Sequence, residues 1–302
     1  MKVFLTGGTG FVGREVLWRL HEEGHSIRML ARSAKDEQVR QMAYRHSAEL
    51  IPGDLLDRGA LVEGMQGCGA VIHLVGIINE SGKSSFQRIH VEGTEHVLGA
   101  AQEAGVGRFV HMSALGTREG ARSRYHQTKW QGEVAVRSSG LRWTIFRPSV
   151  IYGRGDGFVN LLAQLCKWSP VIPLFGGGNN RLQPVSVEDV ARCFVSALSA
   201  EAVENQVIDL CGFEVFTLRE IYRVILRTTR RWRPMVAIPM PLARIQAAAM
   251  ESLFGLAGRP SPLTRDQLLM LEEDNCGDAM TAAKLFGIKP ATFEEGIARY
   301  LR

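Results

Sequence analysis

The chain has 302 residues, of which 45% are hydrophobic and 22% charged, as expected for an ordinary soluble globular protein of one large domain or two modest ones. Its net charge of +5 comes with no arginine-rich tail or basic helix beyond the short run from Arg227 to Arg233, so a nucleic-acid partner is not expected. Its five cysteines are widely separated and form no C-x-x-C pair, so we expect no metal site, no disulfide framework and a reducing compartment.

The first thirteen residues predict a strand, a glycine turn and the start of a helix. Glycines let a backbone turn sharply and approach a pyrophosphate, and the free N–H groups and dipole of a helix start favour negative charge. The spacing Gly7-x-x-Gly10-x-x-Gly13 therefore predicts a dinucleotide cradle rather than a tight turn without a ligand. The residues of this cradle are Thr6, Gly7, Gly8, Thr9, Gly10, Phe11, Val12 and Gly13.

Strands then alternate with helices as far as Pro148. The predicted strands cover residues 26–31, 48–51, 70–75, 108–113 and 142–147, and the helices between them cover 36–46, 57–65, 84–104 and 123–138. Such alternation indicates parallel strands joined by right-handed crossovers, which is an α/β fold with a Rossmann-type doubly wound parallel sheet. Ligands of these sheets bind at the carboxyl ends of the strands.

The alternation breaks after Pro148. We predict a loop at 174–180, a strand at 206–211 that returns to the sheet, and helices at 187–199, 217–230, 241–254, 264–273, 281–286 and 292–301, two of them opened by the capping boxes Thr217-x-x-Glu220 and Thr292-x-x-Glu295. The expected organisation is a dinucleotide-binding domain at 1–150, joined by 183–211. A smaller, mostly helical lobe at 151–182 and 212–302 would close over the strand ends.

Tyr125 and Lys129 are four residues apart, so they share one face of the helix that follows the predicted strand ending at Ser113. Hydride transfer is accompanied by movement of a proton, which a protein group must handle. A free tyrosine has a pKa of about 10, and a nearby ammonium lowers it by favouring the phenolate. Lysine can also bond a ribose, and the serine hydroxyl can hold a substrate oxygen. We therefore predict a Ser113–Tyr125–Lys129 site, with an incidental surface pair as the alternative.

Several motifs occur together in one order: residues 6–13, Gly53-Asp54, Ser113, Tyr125-x-x-x-Lys129, and the runs 147–153 and 184–191. With these motifs the chain resembles the extended or atypical short-chain dehydrogenase/reductases of the NAD-dependent epimerase/dehydratase type, over nearly its whole length. The resemblance implies that Asp54 and the Leu55 backbone bond the adenine edge. It also places Tyr125, Lys129 and Pro148 beside the cofactor.

The segments 154–160 and 262–268, with Asp274-Asn275, more closely resemble bacterial relatives of the NAD(P)H-binding accessory subunit of respiratory complex I. In such relatives the cofactor can serve structure rather than turnover. His90 stands where extended members commonly carry the asparagine of a proton relay, and the interval from Ser113 to Tyr125 is short. These departures weaken the interpretation of the chain as an enzyme, whereas the intact Ser113, Tyr125 and Lys129 favour it.

Arg32 follows the second predicted strand, where NAD-specific folds usually place a carboxylate on the ribose 2′-hydroxyl. An arginine instead accommodates a 2′-phosphate, so NADP(H) is favoured and NAD(H) is the alternative; Arg32 could also simply stack on adenine. Arg14 and Lys35 are supporting cations. His73 either lines the cofactor or is a packed, hydrogen-bonded core histidine. Gly76 is expected to give the ribose backbone room.

Three functions follow from these features. The first is an NADP(H)-dependent oxidoreductase or epimerase using Ser113, Tyr125 and Lys129. The second is a cofactor-holding scaffold or assembly subunit of a respiratory or quinone-biosynthetic complex. A redox sensor ranks last because it would not need the Tyr125–Lys129 pair. The substrate and the oligomeric state are not identified by the sequence.

No run of eighteen apolar residues occurs and Met1-Lys2 leads directly into a strand, so we expect neither a spanning helix nor a signal peptide. The expected location is cytoplasmic, with peripheral association at the inner membrane as an alternative. The apolar face of the helix from Pro241 to Leu256, which includes Ile245, Ala248, Ala249, Leu253 and Phe254, is expected to pack on the core, with membrane or quinone contact as the alternative.

Overall fold

The computed structural model describes residues 1–82, 84–256, 261–289 and 291–301, so residues 257–260, 290 and 302 of the predicted helical lobe lie outside the described residues. Seven parallel strands form the central sheet. In spatial order they are β3 (Ala48–Pro52), β2 (Ser26–Ala31), β1 (Lys2–Thr6), β4 (Ala70–His73), β5 (Arg108–Met112), β6 (Arg142–Pro148) and β11 (Gln206–Leu210). The strand order reverses between β1 and β4, which confirms the predicted Rossmann-type sheet and marks where such sheets bind ligands.

Helices cover both faces of this sheet. One face carries α1 (Phe11–Glu22), α2 (Glu37–Arg45), α7 (Val187–Ser196) and α11 (Ala279–Phe286), and the other carries α3 (Arg58–Met65), α4 (Gly93–Glu103) and α5 (Arg124–Arg137). Alternate residues of a strand feed opposite cores: Leu5 joins the first cluster and its neighbour Phe4 the second. Burial on both sides explains why the strands read as continuous apolar runs.

The helix predicted at 84–104 has a different start. Residues Gln87–Glu92 form a π-helical turn, and α4 continues directly from it. A Cβ built at Gly132 of α5 would lie 2.7 Å from the His90 carbonyl oxygen, so the α5 backbone packs directly against this turn. π-Helical turns are frequent at functional sites.

A second lobe has a core of its own, built mainly from α6 (Val159–Trp168), β8 (Ile172–Phe175), α8 (Leu218–Thr228) and α12 (Phe293–Leu301). The predicted loop at 174–180 was wrong in its first part, because β8 runs to Phe175 and pairs in parallel with β13 (Met235–Ile238). That partner lies far along the chain, so the local pattern could not show it. α6 was also not predicted, whereas both capping boxes are present.

Two further helices form a small cluster beside this lobe: α9 (Met240–Leu256) buries Ala243 and Ala247 against Leu268 of α10 (Arg265–Leu271). The remaining elements are short: β7 (Ile151–Tyr152), β9 (Arg181–Leu182), β10 (Val185–Ser186), β12 (Phe216–Thr217) and the 3₁₀ turns Gly176–Gly178 and Glu201–Val203. Among the described helices, none combines the length and apolar character that crossing a membrane would need.

The turn between β1 and α1 leaves no room for a side chain at Gly8 or Gly13. Gly7 has a φ of +78°, in the left-handed region that favours glycine. A Cβ on Gly13 would lie 2.0 Å from the Gly7 carbonyl oxygen, and one on Gly8 would lie 2.3 Å from the sulfur of Met29. The glycine spacing therefore follows from close packing of the helix start on the turn.

Two stacked histidines lie inside the sheet. His73 of β4 and His111 of β5 are paired in register, and their ring centroids are 5.4 Å apart. Both side chains are buried, and burial lowers the pKa of His73 to about 3 and that of His111 well below its ordinary value. Neither ring nitrogen of His111 has a hydrogen-bond partner within the described chain. Both rings are therefore neutral in the folded protein.

We predict that His111→Phe makes the protein less sensitive to acid. The unfolded chain protonates this histidine below about pH 6.5 and the folded chain does not, so wild-type stability falls as pH falls. Between pH 7 and pH 5 one such group removes about 2 kcal/mol from the free energy of unfolding. Urea unfolding at pH 7 and pH 5 should show that the wild type loses about 2 kcal/mol more of its free energy of unfolding than His111→Phe does.

The matched control is the same substitution at His96, which is exposed on α4. In His96→Phe, the free energy of unfolding should fall between pH 7 and pH 5 by about as much as it does in the wild type. An equal loss in wild type and His111→Phe would contradict a neutral His111.

We also predict that Gly13→Ala destabilises the protein, because its methyl group cannot fit against the Gly7 oxygen. Overpacking of this kind typically costs about 1–3 kcal/mol. The control is Gly99→Ala on α4, where a Cβ meets open space and helix propensity should raise stability by up to about 1 kcal/mol. Urea denaturation of both variants checks this, and equal stabilities would show that the turn relaxes freely.

Candidate active site

Lys129 lies between the carboxyl ends of β4 and β5. Its Nζ donates to the carbonyl oxygen of Met112, the last residue of β5, at 3.0 Å. A Cβ built at Gly76 would lie 2.9 Å from the same Nζ, so Gly76 leaves room for the lysine. The side chain is 3% exposed, and burial lowers the pKa of Lys129 to about 8. The α5 helix thus brings an amine to the carboxyl edge of the sheet.

Tyr125 lies one turn earlier on α5. Its ring packs against Phe86, His90 and His126, with centroids 5.9, 5.4 and 5.2 Å away. Burial raises the pKa of Tyr125 to about 12, whereas the sequence predicted a pKa lowered by Lys129. The direction differs because burial removes a phenolate from water, and this desolvation is what acts on Tyr125 in the structure. Tyr125 is therefore a neutral phenol at neutral pH.

The first turn of α5 is fully capped. The Ser123 hydroxyl accepts the N–H of His126 at 3.2 Å. Asp266 of α10 accepts the N–H groups of Arg124 and Tyr125 at 2.7 and 3.1 Å. A carboxylate from the second lobe therefore positions the helix that carries Tyr125, and these N–H groups are not available to another anion.

His90 connects this helix to the loop after β4. Its Nε2 accepts the Ile77 N–H at 3.1 Å, and its Nδ1 lies 3.0 Å from the Thr128 hydroxyl oxygen. The Thr128 hydroxyl donates to backbone carbonyls of α5, so Nδ1 carries the proton. Burial and the neighbouring Lys129 lower the pKa of His90 to about 2. His90 is thus a neutral hydrogen-bonded support at the position where the asparagine was expected.

Ser113 is placed differently from the prediction. β5 ends at Met112, and the Ser113 hydroxyl that follows donates to Oε1 of Glu133 at 2.6 Å. Glu133 is completely buried and also accepts both guanidinium bonds of Arg147, at 2.8 and 2.7 Å, and one from Arg137. A buried carboxylate holds the Ser113 proton strongly. The Ser113 hydroxyl therefore makes a structural bond in this structure, and its contact with a substrate oxygen stays a prediction.

The amino terminus of α1 contrasts with that of α5. Gly10 is its N-cap residue and offers no side-chain acceptor, and the first turn has no acidic residue. Uncapped N–H groups at a helix start are a ready anion site. Together with the turn that admits no side chain at Gly13, this arrangement fits the pyrophosphate of a dinucleotide.

Thr6 and His73 point into the protein instead. The Thr6 hydroxyl oxygen is 2.7 Å from Nδ1 of His73, and Nε2 of the same ring is 3.2 Å from the hydroxyl oxygen of Thr94. Both side chains are fully buried. Of the two roles that the sequence left open for His73, the geometry favours the packed histidine.

Arg32 and Asp54 follow neighbouring strands. Arg32 is exposed directly after β2, and Asp54 lies two residues after β3 and accepts the Leu56 N–H at 2.8 Å. Leu55 is buried, and Pro148 is buried at the end of β6. The remaining cradle residues are near the helix start: Val12 is buried, Phe11 packs near Gly153, and the Thr9 carbonyl accepts from Arg14.

Two important residues were missed at the sequence level. Glu133 lies four residues after Lys129, so the i, i+4 spacing from Tyr125 through Lys129 to Glu133 was a usable signal. Asp266 lies within the segment 262–268 that carried a family resemblance, but nothing in the sequence indicates that it reaches α5.

Curated relatives and a solved structure resemble this chain over most of its length. "NADH dehydrogenase [ubiquinone] 1 alpha subcomplex subunit 9, mitochondrial" of Arabidopsis thaliana is 28% identical over 293 residues, covering 96% of this chain and 72% of the relative. "Ceramide reductase" of Caulobacter vibrioides is 30% identical over 259 residues, covering 86% of this chain and 80% of the relative. A UDP-glucose 4-epimerase structure from Thermotoga maritima has a TM-score of 0.75 at 19% identity, covering 100% of this chain and 97% of that one, which shows the shared fold.

The family model described as "NAD dependent epimerase/dehydratase family" matches residues 3–211, which is more than half of the chain and includes the cradle and the Tyr125–Lys129 pair. Both this match and the relatives confirm the resemblance drawn from the motifs. The chain therefore belongs to the NAD dependent epimerase/dehydratase family.

Proposed function

We propose that the protein is an NADP(H)-dependent oxidoreductase that works as a reductase, with Tyr125 as proton donor and Lys129 as its supporting cation. The observation that carries this proposal is the burial of Lys129 between the carboxyl ends of β4 and β5, one helical turn from Tyr125. The Caulobacter relative named as a ceramide reductase supports a reductase activity. The substrate class is left open.

The dinucleotide would be held by the turn from Gly7 to Gly13 and the start of α1, with Arg32 near the adenosine ribose. The Gly13 packing and the uncapped helix start fit its pyrophosphate. No acidic residue occupies positions 29–33, so no negative charge there would repel a 2′-phosphate. When bound, the nicotinamide group supplies or accepts a hydride.

The pKa directions suit proton donation. A Tyr125 held as a phenol can donate its proton to a substrate oxygen that gains negative charge. Lys129, with a pKa of about 8, is mostly protonated at neutral pH and stabilises the phenolate that remains. Ser113 and Glu133 take no proton in this scheme. They hold α5 against β5 and β6.

A second function is a cofactor-holding scaffold of a respiratory complex. The helix α9 favours it, because Leu242, Ile245 and Leu253 on its outer side are 57%, 68% and 66% exposed. The apolar face of this helix was expected to pack on the core, but these side chains lie at the surface, where a partner could cover them. The Arabidopsis relative, named as a subunit of NADH dehydrogenase, supports such an association.

We predict that Arg32→Asp weakens NADPH binding by about thirtyfold or more, since it removes a charge-assisted phosphate contact and adds a repulsive charge. NADH affinity should stay the same or rise. Fluorescence titration of both cofactors measures this. The matched control is Arg40→Asp, because Arg40 is also exposed but lies on α2. This change should alter neither affinity by more than about twofold. Unchanged NADPH affinity in Arg32→Asp would reject the 2′-phosphate role.

We predict that Tyr125→Phe lowers NADPH oxidation by about a hundredfold or more on an active carbonyl or quinone substrate, with cofactor affinity unchanged.

Ser113→Ala should keep turnover within about threefold and lower the free energy of unfolding by about 1 kcal/mol, since Glu133 loses one donor. Steady-state assays and urea unfolding measure both effects.

Equal rates of NADPH oxidation in wild type and Tyr125→Phe on every substrate tested would reject the proposed reductase function. Tight NADPH binding without turnover, together with copurified respiratory-complex subunits, would support the scaffold instead. A large rate loss in Ser113→Ala would return Ser113 to the catalytic group.

A further inference from the structure

An open cleft of about 790 Å³ lies on the second lobe, between α6, α12 and the carboxyl-terminal end of α8. None of its lining residues belongs to the candidate active site. α6 turns Val159, Leu162 and Cys166 toward the lobe core and presents Lys167 to the cleft. The cleft is therefore a separate surface on the outer side of this helix.

The cleft carries an excess of positive charge. Arg227 is paired with Glu294 at 2.8 Å. Lys167, Arg230 and Arg231 also line it, are exposed, and have no carboxylate within 4 Å among the described residues. The electrostatics thus favour an anion, and the three uncompensated cations lie close enough to share one cleft.

Thr228 lines the same cleft. Its hydroxyl oxygen is buried and has no hydrogen-bond partner within the described parts of the chain. A buried hydroxyl without a partner costs free energy, so a ligand oxygen in the cleft would relieve that cost. This is a second observation, independent of the charges, that indicates a ligand with oxygen acceptors.

Each of two exposed tryptophans follows a cation of the cleft in the chain: Trp168 follows Lys167, and Trp232 follows Arg231. Trp168 is 77% exposed and Trp232 is 78% exposed, and the Lys167 Nζ lies 5.0 Å from the centroid of the Trp168 ring. The two segments are held together, because the Arg233 guanidinium donates to the carbonyls of Ser169 at 2.9 Å and Lys167 at 3.3 Å. We define the basic face as Lys167, Trp168, Arg230, Arg231 and Trp232.

We propose that this basic face docks the protein on a membrane surface that contains anionic lipids, with a lipid phosphate in the cleft. Basic residues are attracted to anionic leaflets. Tryptophan prefers the headgroup level, because its apolar ring can contact the lipid there while its N–H stays hydrated. A soluble phosphate would use the cations but would leave both tryptophans exposed. The two exposed tryptophans beside these cations are therefore what favours a lipid surface over a free anion.

The test uses the full-length protein and sedimentation with vesicles of phosphatidylcholine alone or mixed with phosphatidylglycerol. We expect binding to the mixed vesicles only, weakened by high salt. Arg230→Gln with Arg231→Gln should lower the partition coefficient by about tenfold or more. The matched control, Arg40→Gln with Arg45→Gln on α2, removes the same charge from another surface and should change it less than about twofold.

Brominated lipids provide the second measurement, because they quench only tryptophans that reach the bilayer. Quenching should be lost in Trp168→Phe with Trp232→Phe, and should persist in Trp18→Phe, which alters a 43% exposed tryptophan on α1. NADPH oxidation in solution should not change in any of these variants.

Three outcomes would overturn the proposal. The first is that the two double arginine variants bind the mixed vesicles equally well, and the second is that quenching survives in Trp168→Phe with Trp232→Phe. The third is that the protein binds glycerol phosphate or RNA but does not bind vesicles. The first two would show that another surface meets the membrane. The third would show that this face binds a phosphate-bearing molecule in solution and does not meet a membrane.

Discussion

One buried carboxylate holds the site together. Glu133 is fully shielded from water, and isolated charges are rarely tolerated there unless they are paired and hydrogen-bonded. It obtains its partners from three elements: Ser113 after β5, Arg147 at the end of β6 and Arg137 on its own helix. These bonds hold α5 over the ends of β5 and β6, and removing any partner would leave the buried carboxylate less satisfied. That position delivers Lys129 to the Met112 carbonyl.

Burial keeps several side chains around Lys129 neutral. His73, His90 and His111 are all buried with pKa values below their ordinary range, so each is neutral at neutral pH. Tyr125 is kept as a phenol. Burial lowers the pKa of Lys129 only to about 8, since the Glu133 carboxylate acts in the opposite direction. Lys129 therefore stays mostly protonated at neutral pH and can stabilise a negative charge that develops beside Tyr125.

The sequence predicted the parts of the molecule that local patterns control. The turn from Gly7 to Gly13 was visible because a strand, a glycine spacing and a helix follow one another within thirteen residues. The parallel sheet was visible because each strand is buried on both faces and reads as an apolar run. In both cases neighbouring residues carry the whole signal.

Contacts between distant segments could not be predicted in this way. The pairing of β8 with β13 joins segments on either side of α8, and Ser113 was assigned to a substrate because its partner Glu133 lies twenty residues away on another element. The pKa of Tyr125 was predicted to move in the opposite direction, since the sequence shows the nearby lysine but not the desolvation.

The cap that Asp266 places on α5 couples two parts of the molecule that fold around different cores. Any movement that withdraws α10 would expose the N–H groups of Arg124 and Tyr125 and cost about 1 kcal/mol for each lost capping bond. It would also remove a negative charge from the helix start and leave the positive end of the helix dipole without its partner. Docking of α10 therefore decides whether the start of α5 is closed to an anion or open to one.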